Sequence, residues 1–459
     1  MKNKILLVAV VGFTVAAALG VVSRHLTPLP ATALLALRWM SIAALVLYAL
    51  YKRTLTTWIL VAMIGGAVLG YDWPRAALGL RLLSMIFLRL IRCIIAPLLL
   101  GTLVSGIAGH SNLKKVGRMG LKAIIFFEVV TTPALFIGLG AINFSKAGLG
   151  VHLPPAAGEA LQVQRLTASE TILHIFPENL AKSIADGQIL QVVVFSILFG
   201  IALAMVREER RRPLVSLAES LTETMFKFTN LVMYMAPLGV GAAIAYTVAS
   251  TGMGILFNLA KLLLTLYAAL FVFIAGVLLP VALLAGVPLK RFIAAVAEPV
   301  SIAFGTASSE AALPRAMEAM EAIGVPRSVV AFVMPTGYSF NLTGSTLYLS
   351  LAAIFVAQAA GVHLSLGQQL LLMLTLMLTS KGVAGVSRAA IVILLGTAGS
   401  FGLPTEPIFI LLGIDQLMDM GRTSVNVLGN CLATIVISRW EGDFGKEQPS
   451  PVVMNAVSG

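Results

Sequence analysis

The chain has 459 residues, of which 58% are hydrophobic and only 11% are charged, and its mean hydropathy is +0.96. This composition excludes a soluble globular protein, and the long apolar stretches predict an all-α polytopic membrane protein instead of an alternating-strand barrel. The net charge of +12 arises from basic clusters between the apolar stretches, which indicates cytoplasmic loops and no nucleic-acid partner.

Many apolar stretches are long enough to cross a bilayer whose hydrocarbon core is about 30 Å thick. We predict membrane-spanning helices at 4–23, 30–51, 56–73, 81–109, 119–144, 189–206, 221–250, 255–286, 328–361 and 407–439. The first stretch could be a cleaved signal peptide, but its length and the second span favour a retained helix. The basic clusters place both termini in the cytoplasm, and the membrane would be the plasma (inner) membrane.

The span 119–144 contains a carboxylate, Glu128, within an otherwise apolar run, and Thr131 and Thr132 follow it within about one helical turn. A buried acid is costly, so we expect Glu128 to be either a protonated, hydrogen-bonded core residue or a functional group. The sequence leaves both alternatives open.

Two later segments, 290–322 and 366–402, have apolar stretches that are interrupted by small or polar residues at 305–314 and 379–388. Non-helical backbone at membrane depth is tolerated only where it is buried in protein or lines a polar cavity. We therefore predict two re-entrant hairpins whose tips face a cavity and direct helix N-termini at an anionic ligand. Close helix packing at small residues would also explain either segment alone.

Between these segments, the span 328–361 is interrupted at 335–345 by Gly, Asn and Ser residues. A break of this kind frees backbone carbonyl groups that can coordinate a cation. We expect an ion site there.

The last span carries polar residues on one side only. At about 100° per residue, a stripe about 80° wide contains Asp415, Asp419, Arg422, Asn426 and Asn430, hereafter the polar stripe. An ionised side chain at bilayer depth costs from about 2.5 to over 10 kcal/mol, so such residues mark a binding site or a pathway. The alternative is a salt bridge between Asp419 and Arg422 that only joins helices, but Thr423 and the two asparagines extend the polar stripe beyond one pair.

The sequence contains no convincing catalytic constellation, so an enzyme is not expected. It has no nucleotide-binding Gly-Lys loop, so ATP-driven transport is not expected either. With only two cysteines, no cofactor or metal framework is indicated.

These elements together resemble the dicarboxylate/amino acid:cation symporter family, which includes the glutamate transporters, over about residues 56–440. The resemblance lies in the order, spacing and residues of four segments, 308–314, 341–345, 380–386 and 419–423. It implies a glutamate-transporter-like fold with about eight core transmembrane helices and two re-entrant hairpins, to which this chain adds two N-terminal helices.

The resemblance also implies a homotrimer and an elevator mechanism, in which a transport domain moves across the membrane beside a fixed scaffold. The implied domains are the extra N-terminal helices at 1–55, mainly scaffold and trimerisation helices at 56–255, mainly the transport domain with both hairpins at 256–440, and a cytoplasmic tail at 441–459.

The resemblance implies that Arg422 binds the side-chain carboxylate of the substrate and that Asp419 pairs with the substrate ammonium group. A planar guanidinium suits the first role and a buried carboxylate suits the second. The remaining implied contacts are Thr423, Asn426, Ser345 and backbone groups of Ser308, Ser309, Gly385 and Val386. Members that carry C4-dicarboxylates lack an acid at the position of Asp419, so its presence favours aspartate or glutamate.

Sodium-driven members usually have aspartates at the positions of Thr343 and Asn430, and the loss of two carboxylates should weaken or abolish sodium binding. The cation-coupling residues implied by the resemblance are Glu128, Thr131, Thr132, Gly337, Asn341, Thr343 and Asn430. A weak sodium site could remain at Gly337, Asn341 and Asn430, whereas Glu128 is a candidate proton carrier. We expect H+ as the coupling ion, with Na+ as the alternative.

Two cations of the second hairpin, Lys381 and Arg388, would lie at the gate. Many family members have Gly at the position of Arg388. The Arg388 side chain either replaces the positive charge of a bound ion or extends to the aqueous rim. The sequence therefore predicts a secondary active symporter that imports an acidic amino acid with protons. Sodium coupling, C4-dicarboxylate transport and an anion channel are the alternatives, although a compact site of mixed charge differs from a pore lined by like charges.

Overall fold

The computed structural model describes residues 30–108, 115–151, 176–186, 188–379, 389–401 and 406–445, together with a few isolated positions. All regular structure within these residues is helical, which confirms the fold class that the composition predicts. The predicted span 4–23 lies almost wholly outside the described residues.

The helices are numbered in chain order. The first nine are α1 (Ala31–Lys52), α2 (Leu55–Asp72), α3 (Pro74–Gly79), α4 (Arg81–Ala108), α5 (Lys115–Ser145), α6 (Leu180–Ala185), α7 (Ile189–Ala204), α8 (Glu208–Met233) and α9 (Ala236–Thr251). The others are α10 (Gly254–Phe273), a π turn (Ile274–Leu278), α11 (Leu279–Leu284), α12 (Leu289–Thr306), α13 (Ser309–Ala322), α14 (Arg327–Phe340), α15 (Thr343–Ala359), α16 (Leu366–Thr379), α17 (Ala389–Ser400), α18 (Glu406–Leu412) and α19 (Asp415–Glu441).

Within the part of the chain that the structure describes, five helical stretches are long and apolar enough to cross a membrane, or six if one bent pair counts as a single span; two of them join consecutive elements. The five stretches are Ala31–Lys52, Leu55–Asp72, Met119–Ser145, Gly254–Leu284 and Arg327–Ala359. This finding confirms a polytopic membrane protein, whereas the number of about eight core helices stays a prediction.

The helices form two groups, each of which packs mainly within itself. In the first group, α2 lies along α9 and α4 packs against α7, α8 and α9. The α2–α9 contact is close because Gly66 and Gly70 have no side chain, and a Cβ at either would meet the backbone carbonyl oxygen of Gly241 or Ala245.

The additional helix α1 is joined to this first group by polar contacts. Arg38 Nη2 donates to Asp72 Oδ1 at 2.5 Å and Trp39 Nε1 donates to Asp72 Oδ2 at 3.1 Å. The Trp39 and Trp73 rings stack with their centroids 4.8 Å apart. The α1 helix therefore belongs to the packed structure of the chain.

The second group surrounds α19, against which α12, α13, α14 and α15 all pack. The α5 helix also belongs to it, because α5 packs mainly against α15 and α10 although it lies within the predicted scaffold range 56–255. Gly138 of α5 permits this contact, since a Cβ there would meet the Leu347 carbonyl oxygen at 2.5 Å.

Two predicted spans are interrupted in the structure. The span 221–250 is wrong as one helix, because α8 and α9 meet at an angle of 51°. Pro237, in the first turn of α9, explains the bend, since proline lacks an N–H group and its ring excludes the preceding helical turn. The span 407–439 is divided into α18 and α19 by a tight turn at Gly413, where Ile244 leaves no room for a side chain.

The first predicted hairpin corresponds to α12 and α13, which are joined by Ala307 and Ser308. The two helices run back along each other, since Arg315 Nε lies 3.4 Å from Glu298 Oε1. The break lies within the predicted interruption at 305–314 but is shorter, since residues 309–314 are helical. The helices α16 and α17 of the second predicted hairpin also pack together, but its tip at 380–388 lies outside the described residues. That either hairpin is re-entrant stays a prediction.

Candidate functional site

The polar stripe lies on α19, as predicted, and all of it is buried. Asp415, Asp419, Arg422, Asn426 and Asn430 are at most 3% exposed. The apolar residues of α19 that point away from the polar stripe are buried as well, because helices surround α19 on several sides. The periodicity predicted the polar face correctly but did not reveal that the opposite face is also covered by protein.

Arg422 contacts both acids of the polar stripe; we refer to Asp415, Asp419 and Arg422 as the charged triad. Arg422 Nε donates to Asp419 Oδ1 at 2.8 Å, and Arg422 Nη1 donates to Asp415 Oδ1 at 3.2 Å. Thr423 Oγ1 donates to the same Asp419 oxygen at 3.0 Å. Each buried carboxylate thereby contacts the guanidinium, as buried charges require.

The sequence interpretation missed two partners of Arg422. Its guanidinium carbon lies 4.2 Å from the centroid of the Tyr348 ring, a cation–π contact, and Asp415 was assigned no binding role despite its place in the polar stripe. The spacing held a signal for Tyr348, which follows Ser345 by three residues and so lies on the same side of α15.

The break between α14 and α15 faces the polar stripe. Asn426 Oδ1 accepts from the backbone N–H groups of Gly344 at 2.8 Å and Ser345 at 3.2 Å, and Asn426 Nδ2 donates to Ser345 Oγ at 2.9 Å. The first N–H groups of a helix have no intrahelical partner, so this amide satisfies two of them from a neighbouring helix. The structure thus brings the predicted residues Ser345 and Asn426 together.

The predicted cation-site residues also lie together, beyond the same break. Asn341 Nδ2 donates to Asn430 Oδ1 at 3.0 Å, and the Gly337 carbonyl accepts from the Asn341 backbone N–H at 2.7 Å. Thr343 Oγ1 and Asn341 Oδ1 are buried and have no hydrogen-bond partner among the described residues. These oxygens could contact a small ion. However, the group contains no carboxylate, and a site without a carboxylate is a poor match for a hard cation.

Within the described residues, no group of three or more His, Cys, Asp and Glu side chains could hold a metal ion.

Glu128 lies on α5 and is half-buried. Thr131 Oγ1 donates to the Phe127 carbonyl at 2.7 Å and Thr132 Oγ1 to the Glu128 carbonyl at 2.8 Å. Thr132 Oγ1 also reaches the Met377 sulfur at 4.0 Å, which places this part of α5 beside α16.

Ser308 and Ser309 lie where α13 begins. Ser308 is the N-cap residue and accepts from the Ala311 N–H at 3.3 Å, while Ser309 is buried. Both belong to the α12–α13 pair that packs against α19. The predicted site residues Gly385 and Val386 and the gate residues Lys381 and Arg388 lie outside the described residues.

Gly344 sets how closely α15 approaches the charged triad, because a Cβ there would meet the Arg422 backbone carbonyl oxygen. We expect Gly344→Ala to lower the free energy of unfolding by about 1–3 kcal/mol and to impair uptake, since overpacking forces the two helices apart. Thermal melting of the purified protein and vesicle uptake measure the two effects. Gly276→Ala is the matched control, as nothing lies within 4 Å of its added Cβ, and equal effects of both variants would contradict this role of Gly344.

Long apolar helices, a broken helix and a buried site of opposite charges together define the class of secondary membrane transporters. Residues 55–440 match the sodium:dicarboxylate symporter family, and the chain belongs to this family. It is a transporter of the symporter type and not an enzyme. The α1 helix precedes the matched residues.

Three curated relatives illustrate the range of the family. The chain is 44% identical over 415 residues to a proton/glutamate-aspartate symporter of Escherichia coli (strain K12), covering 86% of this chain and 95% of the relative. It is 42% identical to a proton/sodium-glutamate symport protein of Bacillus caldotenax, covering 85% and 95%. It is 39% identical to a C4-dicarboxylate transport protein of Cupriavidus necator, covering 89% and 96%.

Proposed function

We propose that this protein is a secondary active symporter that imports glutamate or aspartate together with protons across the plasma (inner) membrane. The observation that carries this proposal is the charged triad, in which an acid and a guanidinium lie next to each other out of water. Relatives that are named for glutamate and aspartate support the choice of substrate.

Arg422 binds the side-chain carboxylate of the substrate, and Asp419 binds its ammonium group. These two residues form an ion pair in the structure, so the substrate replaces one contact between opposite charges by two, and Arg422 and Asp419 each keep a partner of opposite charge. Thr423, Asn426 and Ser345 complete the pocket. Backbone groups at the hairpin tips close it, from Ser308 and Ser309 on one side and from Gly385 and Val386 on the other.

Proton coupling is favoured over sodium coupling because the residues at the cation site, including Thr343 and Asn430, are all neutral. Glu128, beside Thr131 and Thr132, is a candidate proton carrier. Sodium coupling through Gly337, Asn341 and Asn430 is the alternative. Relatives that are named for both protons and sodium support this alternative. C4-dicarboxylates are the alternative substrate class. The presence of Asp419 disfavours them, because a C4-dicarboxylate has no ammonium group to pair with it.

The two helix groups suit an elevator mechanism in a homotrimer, with the first group as the fixed scaffold and the group around α19 as the moving body. The α5 helix moves with the second group, since it packs there. Lys381 and Arg388 lie at the gate formed by the second hairpin, and both termini face the cytoplasm.

The proposed function is tested by uptake of labelled glutamate, aspartate and succinate into vesicles that contain the purified protein. We expect an inward proton gradient to drive accumulation of both amino acids without sodium, and succinate to be a poor substrate. Protein-free vesicles are the control. Strict dependence on a sodium gradient would overturn the coupling proposal, and preferential uptake of succinate would overturn the substrate. Flux that never exceeds equilibrium would indicate a channel.

A further inference from the structure

Two buried asparagines meet where the break between α14 and α15 faces α19. Asn341 Nδ2 donates to Asn430 Oδ1 at 3.0 Å, and both residues are 0% exposed. This single hydrogen bond leaves Asn341 Oδ1 and Asn430 Nδ2 without partners in the described part of the chain, and the buried Thr343 Oγ1 is also unpaired there. We refer to Asn341, Thr343 and Asn430 as the amide site.

Two glycines border the amide site and bring its members together. A Cβ on Gly429 would lie 3.1 Å from Thr343 Oγ1 and 3.9 Å from Asn341 Nδ2. Both side chains therefore approach α19 at the residue that precedes Asn430. A Cβ on Gly337 would overlap Asn430 Oδ1, so α14 passes directly over that amide. The unpaired atoms thus face one small region between α14, α15 and α19.

The two amides leave one donor and one acceptor unpaired, whichever way they are oriented. If both side chains were turned by 180°, Asn430 Nδ2 would donate to Asn341 Oδ1, and the other N–H group and the other oxygen would be left. If only one were turned, two N–H groups or two oxygens would face each other. Because unpaired polar groups are costly when buried, the occupant of the site must both accept and donate a hydrogen bond.

We propose that the amide site binds one water molecule and no cation. A water molecule accepts from the free amide N–H group and donates to the free amide oxygen, and the Thr343 hydroxyl can take either role. A sodium ion cannot accept a hydrogen bond, and the N–H group would direct its positive end at the ion. A hydronium ion is excluded for the same reason, since it donates well but accepts poorly. The coupling ion therefore binds elsewhere in the protein.

The same chemistry predicts how the amide site can be converted into a cation site. Asn430→Asp removes the N–H group and supplies a carboxylate, of which one oxygen can accept from Asn341 Nδ2 while the other contacts a cation. Asn341 Oδ1 and Thr343 Oγ1 add two neutral oxygens, and oxygen ligands that include a carboxylate suit a hard cation. A buried carboxylate also needs a positive partner, which favours binding further.

The first test compares the melting temperature of the purified full chain in sodium chloride and in choline chloride at the same concentration. We expect no difference for the natural sequence. Sodium should raise the melting temperature of Asn430→Asp by about 2 °C or more, because an ion that binds only the folded state stabilises it. Asn230→Asp is the matched control, since Asn230 is exposed in α8, and it should not respond to sodium.

The second test is a density map of the natural protein that resolves ordered water, recorded in each salt. We expect one water molecule within hydrogen-bonding distance of both amides, in sodium and in choline alike. This measurement needs no variant, so it stays decisive if Asn430→Asp does not fold.

Three results would overturn the proposal. The first is a map without density at the amide site, or with an ion there that only oxygen atoms contact. The second is stabilisation of the natural sequence by sodium that Asn341→Ala removes. The third is an Asn430→Asp variant that elutes like the natural protein in gel filtration but gains no response to sodium. None of these measurements involves transport, so failure to take up acidic amino acids would refute the proposed function alone.

Discussion

Arg422→Ala is expected to reduce uptake of glutamate and aspartate by roughly 100-fold or more. Removal of one partner of a buried ion pair costs about 3–5 kcal/mol, because the other partner stays buried without compensation. Here the variant leaves Asp415 and Asp419 without their shared guanidinium and removes the donor for the substrate carboxylate. Initial rates of labelled uptake into vesicles, over a range of concentrations, measure the loss.

Arg422→Lys should restore little of this activity, since an ammonium group cannot donate in parallel to one carboxylate and still reach a second. Arg75→Ala is the matched control, because Arg75 is exposed in α3, and we expect it to leave uptake unchanged. Normal kinetics in Arg422→Ala would refute the assignment of the substrate site.

Asp419→Ser is expected to reduce amino acid uptake by roughly 100-fold but to spare the binding of succinate. Its carboxylate is the proposed partner of the substrate ammonium group, and a charge-assisted hydrogen bond in a buried site is among the stronger polar contacts. Succinate has no ammonium group and therefore gains nothing from Asp419. Competition by succinate against residual glutamate uptake, compared with the natural sequence, measures this change in selectivity.

The variant Asp186→Ser serves as a control, since Asp186 is an exposed acid that follows α6. An equal loss of amino acid and succinate binding in Asp419→Ser would mean that Asp419 only holds Arg422 in place. Loss of amino acid binding alone would support its role as the ammonium partner.

Much of the site was predictable because its signals are local in the chain. Charges on one side of a helix in an apolar protein are rare, and the 3.6-residue period was enough to place Asp415, Asp419 and Arg422 together. Small and polar residues likewise marked the breaks before Thr343 and at Ser308, where the structure ends one helix and begins the next.

The helix boundaries show where local reasoning fails. Hydropathy joined the end of α8 to α9 and α18 to α19, because apolar residues outnumber polar ones in each joined stretch although α8 and α19 also carry charges. The bend at Pro237 and the turn at Gly413 depend on a missing N–H group and on close contact with Ile244, which a window average does not register.

The sequence by itself determined the class of protein, the polar stripe and the residue types of the site, because composition and periodicity follow directly from the order of residues. The tertiary structure alone decided which groups meet: Tyr348 against Arg422, the sharing of Arg422 between two acids, the placement of α5 beside α15, and the half-burial of Glu128. The physical reason is that an apolar helix face suits lipid and protein equally well, so hydropathy does not specify its partner.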